Sequence, residues 1–227
     1  MEERSRILAD LYRRRFDGQD EYRTGVWRVL CSDFFARFVP AHARVLDLGA
    51  GWGEFINNIE ASAKFAMDLN QETGKRLTPG IRHFCQDCSQ PWPLDAESLD
   101  VVFTSNFLEH LPDKQHIERA VAEAYRCLKP DGEIICLGPN IAYTGGHYWD
   151  FWDHQVPLTE ASCAELLRNA GFSIERCIPR FLPYSMSSDW TPPFLFVKLY
   201  LRVPLLWRWW GKQFLIIGRK PRAAGRT

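Results

Sequence analysis

Several absences narrow this sequence before any motif is read. It has no run of about 18 uncharged apolar residues, so no segment is suited to span a bilayer as a helix. Its opening, Met1-Glu-Glu-Arg-Ser-Arg-Ile-Leu-Ala-Asp10, carries acids and lacks the apolar stretch of a secretory leader, which predicts a cytoplasmic chain. Gly and Pro are scattered without period, and no internal repeat occurs, which excludes collagen-like and low-complexity architectures. There is no surplus of charge, because 28 basic and 28 acidic residues cancel. The seven cysteines (31, 85, 88, 127, 136, 163 and 177) are odd in number and dispersed. That pattern fits reduced thiols, not a disulfide framework.

What is present is ordinary for a packed core, with 46% apolar and 25% charged residues, and argues against disorder. The even charge balance hides an asymmetry. After Asp189 there is no acid, while Lys198, Arg202, Arg208, Lys212, Arg219, Lys220, Arg222 and Arg226 add +8. The first 189 residues therefore carry −8 (20 basic minus 28 acidic). An acidic body argues against a nucleic-acid partner. A basic, aromatic-rich end suits an anionic membrane surface.

Residues 1–39 read as two helical segments broken near Asp17-Gly18-Gln19-Asp20, the second placing Trp27, Leu30, Phe34 and Phe38 on one face. From Ala43 onward, short apolar runs alternate with amphipathic stretches. Strands are expected at Arg44–Leu48, Lys64–Asp68, Arg82–Gln86, Asp100–Ser105, Glu133–Leu137, Ser173–Ile178 and Gln213–Gly218. Helices are expected near 54–61, 71–78, 114–128 and 159–170, the last capped by Thr159 and ended by Gly171. Lys129-Pro-Asp-Gly132 reads as a turn. Strand–helix alternation with continuously apolar strands predicts an α/β fold, a parallel sheet covered by helices on both faces.

The chemistry centres on Val45-Leu-Asp-Leu-Gly-Ala-Gly-Trp-Gly-Glu-Phe55. A buried strand enters a turn with Gly49, Gly51 and Gly53, then a helix. Glycine permits positive φ and close approach of a ligand to the backbone. The spacing is Gly-x-Gly-x-Gly and not the Gly-x-Gly-x-x-Gly of dinucleotide folds. Asp47 precedes it, an acid that would repel a pyrophosphate and suits a cationic ligand. Two more acids, Asp68 and Asp87, end the next two expected strands, where open α/β sheets bind ligands.

This segment resembles motif I of the class I S-adenosylmethionine (SAM)-dependent methyltransferases, and the likeness continues in order. Ala66-Met-Asp68-Leu-Asn70 resembles the strand end whose acid binds the ribose hydroxyls. Gln86-Asp87-Cys88 resembles the one that reaches the adenine amine. Leu99 to Pro112 resembles the fourth strand and its loop, and Cys127-Leu-Lys-Pro-Asp-Gly-Glu-Ile-Ile135 the approach to the fifth. The nearest likeness is to the small-molecule branch that includes ubiquinone- and menaquinone-type enzymes. The resemblance implies a Rossmann-like seven-stranded sheet of order 3-2-1-4-5-7-6, strand seven antiparallel, and SAM as cofactor. It implies a cofactor site of Asp47, Gly49, Ala50, Gly51, Gly53, Asp68, Leu69, Asp87, Cys88 and Asn106. One domain is expected over 1–227: a helical cap (1–39), a SAM-binding core (43–140), a substrate loop (141–158) and an aromatic, basic insertion (179–212).

The Asn/Asp-Pro-Pro-Tyr signature of the resembled enzymes that methylate amino groups of DNA bases or protein glutamine is missing after the fourth strand, where Thr104-Ser-Asn-Phe-Leu108 stands. The substrate loop, Pro139 to Pro157, concentrates Trp149, Trp152, His147, His154, Asp150 and Asp153. It could stack sugar or aromatic faces and supply a proton acceptor. His154 is the first choice as base, with Asp150 and Asp153 near enough in sequence to orient it; His147 and His110 follow, and Glu109 reads as a cap for the next helix. The pattern Trp149-Asp-Phe-Trp-Asp-His-x-x-Pro-Leu-Thr159 resembles methyltransferases of bacterial surface-glycan or lipid-linked saccharide pathways. The expected reaction is methylation, O-methylation first, of a small-molecule, glycan or lipid-linked acceptor. A quinone-like carbon, an amine, or a non-catalytic SAM-binding protein are the alternatives.

Cys85-Gln-Asp-Cys88 is a lone Cys-x-x-Cys, read as incidental, and no metal is assigned. Within 193–210, Lys198 and Arg202 share one helix face and Pro204 should break the helix. Two readings of this segment stand together: a packing or homodimer helix, and an interfacial element touching the inner face of a membrane. Arg13-Arg14-Arg15 reads as a solvated helix face.

Overall fold

The computed structural model describes residues 20–184 and 191–222. The first expected helix and Arg13–Arg15 lie outside the described residues. Seven strands form one sheet of order β3-β2-β1-β4-β5-β7-β6: β1 Arg44–Leu48, β2 Ala63–Met67, β3 Arg82–Phe84, β4 Leu99–Ser105, β5 Leu128–Pro139, β6 Ser173–Ile178 and β7 Gln213–Arg219. The pairs from β3 to β5 are parallel, and β7 runs antiparallel between β5 and β6. This is the Rossmann-like α/β order expected from the sequence.

Helices cover both faces. They are α1 Asp20–Asp33, α2 Glu54–Asn58, α3 Thr73–Arg76, α4 Lys114–Cys127, α5 Ile141–Thr144, α6 Glu160–Asn169, α7 Phe194–Arg202 and α8 Pro204–Trp210. On one face, α4 and α6 bury Ile117, Val121, Cys163 and Leu167 against Leu46, Leu48 and Val102. On the other, α1, the turn that follows it and α7 bury Trp27, Phe34 and Leu201 against Val45, Phe103, Ile135 and Ile217. Alternate residues of the central strands thus feed opposite cores. Phe103 stacks on Phe55 at 3.6 Å with Trp27 edge-on; truncating it would cost about 3–5 kcal/mol.

Pro204 does end one helix and open another, as its missing N–H and fixed φ require. Thr159 caps α6 through a reciprocal bond with Ser162. Two local expectations are corrected. Lys129–Gly132 is no free turn: it lies inside β5, bending at Asp131 (φ 65°) while Asp131 and Gly132 exchange backbone bonds with Lys220. Pairing with the β7 end outweighs the turn composition. Glu109 does not cap α4; Asp113 does, its side chain accepting from His116 N–H at 2.9 Å.

Candidate active site

A cleft of about 410 Å³ opens at the carboxyl ends of β1, β4 and β5. Its first wall is the glycine loop. Gly49, Gly51 and Gly53 have φ of 72°, 54° and 74°, a region that side chains reach only with strain. A Cβ on Gly49 would also fall inside the Phe107 ring. Asp68 ties this loop down: its carboxylate accepts from Gly51 N–H at 2.7 Å and Asn70 N–H at 2.8 Å. Thr73 adds a bond from Oγ1 to the Gly51 carbonyl at 2.7 Å. Two acceptor positions on Asp68 are thereby used, and a carboxylate offers about four.

The acids of this wall are crowded. Burial, then the charges of Glu54 and Asp68, push Asp47 well above the usual carboxylate range. Burial also raises Asp68, although its two backbone bonds pull the other way. A cation in the cleft would relieve both. Opposite them, Arg23 of α1 reaches Glu54 at 2.5 Å and lines the cleft with Trp27.

The second wall comes from the loops after β4 and β5. Asn106 sits at φ 48° with its N–H donating to the Leu137 carbonyl at 2.9 Å. Asn tolerates this conformation better than most residues, and such outliers gather at functional sites. The Glu109 carbonyl accepts from Gln155 N–H at 2.8 Å and Val156 N–H at 3.2 Å, clipping the two loops together. Glu109 is 1% exposed, with burial raising its carboxyl above the ordinary range. Atoms of Glu109, His110 and His154 gather within 4.8 Å.

The imidazoles divide by environment. His110 Nδ1 lies 3.1 Å from Asp153 Oδ2. Burial pulls His110 down, but the hydrogen bond and charge of Asp153, with the charge of Glu109, leave it raised. His154, 6% exposed, packs on Phe151, Tyr148 and His110, with ring centroids 5.1, 4.5 and 4.8 Å away. His147 pairs with Asp150 at 2.9 Å on the exposed rim. Asp150 and Asp153, expected beside His154, thus pair with His147 and His110. A helical turn brings residues three apart together, whereas Asp153 reaches back across the clipped loops.

The cleft brings together Asp47, Gly49, Ala50, Gly51, Asn106, His110, His147 and His154. It does not include Gly53, Asp68, Leu69, Asp87 or Cys88 in its lining. Gly53 turns into α2, and Asp68 stands behind Gly51, whose N–H it accepts. Leu69 offers its carbonyl to Cys85 Sγ at 3.5 Å. Asp87 accepts from Ser89 N–H at 2.9 Å, and the Cys88 side chain is buried in the core while its carbonyl receives Trp92 Nε1 at 2.9 Å. Sequence reasoning missed Arg23, Glu54, Tyr184, Lys212 and Gln213. Lys212 and Gln213 carried one usable signal, their place at the start of the expected last strand.

A family model described as a methyltransferase domain matches residues 20–176, more than half of the chain. A ubiquinone biosynthesis O-methyltransferase of Xanthomonas axonopodis pv. citri is 32% identical over 169 residues, covering 62% of this chain and 66% of that protein. A ubiquinone/menaquinone biosynthesis C-methyltransferase of Bartonella tribocorum is 28% identical over 129 residues, covering 50% and 48%. The matched span is under two thirds of either relative's length. Among solved structures, a Thermotoga maritima SAM-dependent methyltransferase, described as a possible histamine N-methyltransferase, superposes with TM-score 0.66 at 19% identity, over 93% of this chain and 95% of that one.

Proposed function

The chain belongs to the class I SAM-dependent methyltransferase family, and from that premise we propose that it transfers a methyl group from SAM to a hydroxyl of a small-molecule, glycan or lipid-linked acceptor. SAM, when bound, supplies a methyl group made electrophilic by its sulfonium. The residues of the first wall fit that cofactor. The side-chain-free glycines leave room for close backbone approach. The remaining acceptor positions of Asp68 suit paired hydroxyls. Asp47 and Glu54 suit positive charge, and the guanidinium of Arg23 suits a carboxylate.

The observation that carries the hydroxyl reading is the half-buried Asp153–His110 pair. If Nδ1 of His110 donates to Asp153, Nε2 is left as an acceptor. A hydroxyl must lose its proton as the new carbon–oxygen bond forms, and His110 can take it. Asp153 would then stabilise the resulting imidazolium. Alignment of acceptor and methyl group between the two walls is the other contribution of the chain.

His154 is the second reading for the base, favoured by its place against His110 in the same cleft. A carbon or amine acceptor that needs no imidazole is favoured by the C-methyltransferase relative. His110→Gln tests the choice. Turnover should fall while titrated SAM affinity stays within a few-fold of wild type. Unchanged turnover with methyl transfer rate-limiting would remove His110 as base and leave His154 or a base-free acceptor. A chain that does not bind SAM would overturn the whole reading.

A further inference from the structure

Helices α7 and α8 are apolar on both faces. Their inner face is apolar: Leu201 is buried, Tyr200 donates to the Phe181 carbonyl, and Trp207 packs on Phe34 and Phe181. Their outer face is also apolar. Leu195 (75% exposed), Phe196 and Leu199 stand out from α7, and Leu205, Trp209 (72%) and Trp210 from α8. Exposed apolar area on this scale marks a surface that meets something.

The basic residues here are interspersed with the aromatics. Lys198 and Arg202 share the single carboxylate of Asp33, at 3.9 and 3.3 Å. Among the described residues, no carboxylate lies within ion-pair distance of Arg180, Arg208 or Lys212. The patch is continuous with the cleft. Arg180 donates to the Gly211 and Trp209 carbonyls at 2.8 and 2.9 Å and covers the Tyr143 ring at 4.8 Å. Lys212 and Gln213, which follow α8, line the cleft itself. On the β5 side, exposed Trp149 and Trp152 lie in the loop whose His147, Asp150 and Phe151 line the same cleft. Exposed tryptophans from two distant segments therefore stand within three residues of positions that line the cleft.

Tryptophan and leucine beside unpaired cations match the interface of an anionic bilayer, where rings sit at headgroup depth and cations meet phosphate. We infer that α7, α8 and the Trp149–Trp152 loop form a docking face for an anionic membrane, which holds the cleft mouth against the lipid surface so that a lipid-borne acceptor enters without leaving it. The substrate half of this inference rests on the methyl-transfer reading; the membrane contact does not.

Co-sedimentation with phosphatidylcholine vesicles, with and without phosphatidylglycerol, tests it. Wild type should pellet with the anionic vesicles and be released at about 1 M salt, where the screening length falls to roughly 3 Å. Leu195→Ser with Leu199→Ser, both outward-facing and remote from the cleft, should weaken partitioning at least about tenfold. Arg208→Gln should weaken it about fivefold at low salt. SAM affinity should stay unchanged in both. Wild type that ignores phosphatidylglycerol, or that instead forms a dimer split by the double leucine variant, overturns the inference. Vesicle binding without SAM binding would sustain the docking face and remove the methyl-transfer reading, so the two failures are distinguishable.

Discussion

The two walls of the cleft are built by opposite means. The wall from β1 and β2 is local: three glycines, Asp47 and Asp68 all come from residues 47–68, fixed by backbone bonds across a parallel strand pair. The wall from the loops after β4 and β5 is assembled from distant pieces, with Asp153 reaching His110 and Gln155 and Val156 hanging on the Glu109 carbonyl. The first wall suits a ligand that stays the same; the second suits one that varies, since loops can change without disturbing strand order. The contrast is sharpest in the two Asp–His pairs of this wall, one half-buried between loops and one standing in solvent on the rim.

The largest effect that would test this division is His110→Gln, expected to lower turnover by about 10²–10⁴-fold while SAM titration stays near wild type. If both parameters collapsed together, the walls would not be separable. Next, Asp68→Ala removes a charged hydrogen-bonding partner and should weaken SAM binding about 10–150-fold by calorimetry, a loss of roughly 1.5–3 kcal/mol. An unchanged affinity would sink the assignment of the first wall.

A smaller effect sharpens the second wall. Asp153 holds the imidazole of His110 above its ordinary range, so neutral base appears only as pH rises through that raised value. Asp153→Asn removes the charge and should move the rising limb of the pH–rate profile to lower pH by about one unit. A limb that stays in place would detach Asp153 from the base. Smallest of all, His147→Ala should change turnover by no more than a few-fold, because an exposed pair contributes about 0–1 kcal/mol. A loss comparable to that of His110→Gln would make the rim pair part of the chemistry.

The same division explains what could be read beforehand. Arg44–Leu48 was legible residue for residue because its buried apolar run has clear ends, and Ser173–Ile178 because Gly171 stops the helix before it and Pro179 follows it. Lys129–Gly132 misled because composition favours a turn, while β7 supplies partners that no local window contains. The glycine loop and Asp68 announced themselves through spacing. The partner of His110 did not, because proximity in sequence favoured placing both aspartates beside His154. Arg23 carried no local mark at all; its role arises only when α1 is folded against the glycine-loop end of the sheet, where it meets Glu54.

Phe107 links the walls in a way that bears on how such a chain can diverge. Its ring, borne on the loop after β4, occupies the space that a side chain at position 49 would need. Position 49 cannot drift alone: a larger residue there demands both a retracted ring at 107 and tolerance of a left-handed backbone. Relatives that have lost Phe107 could accept a side chain at 49 only with strain, and those that keep it should hold glycine there without exception. Aligned descendants of this chain would therefore record the pair as a one-way dependence, with the aromatic free to vanish but not the glycine.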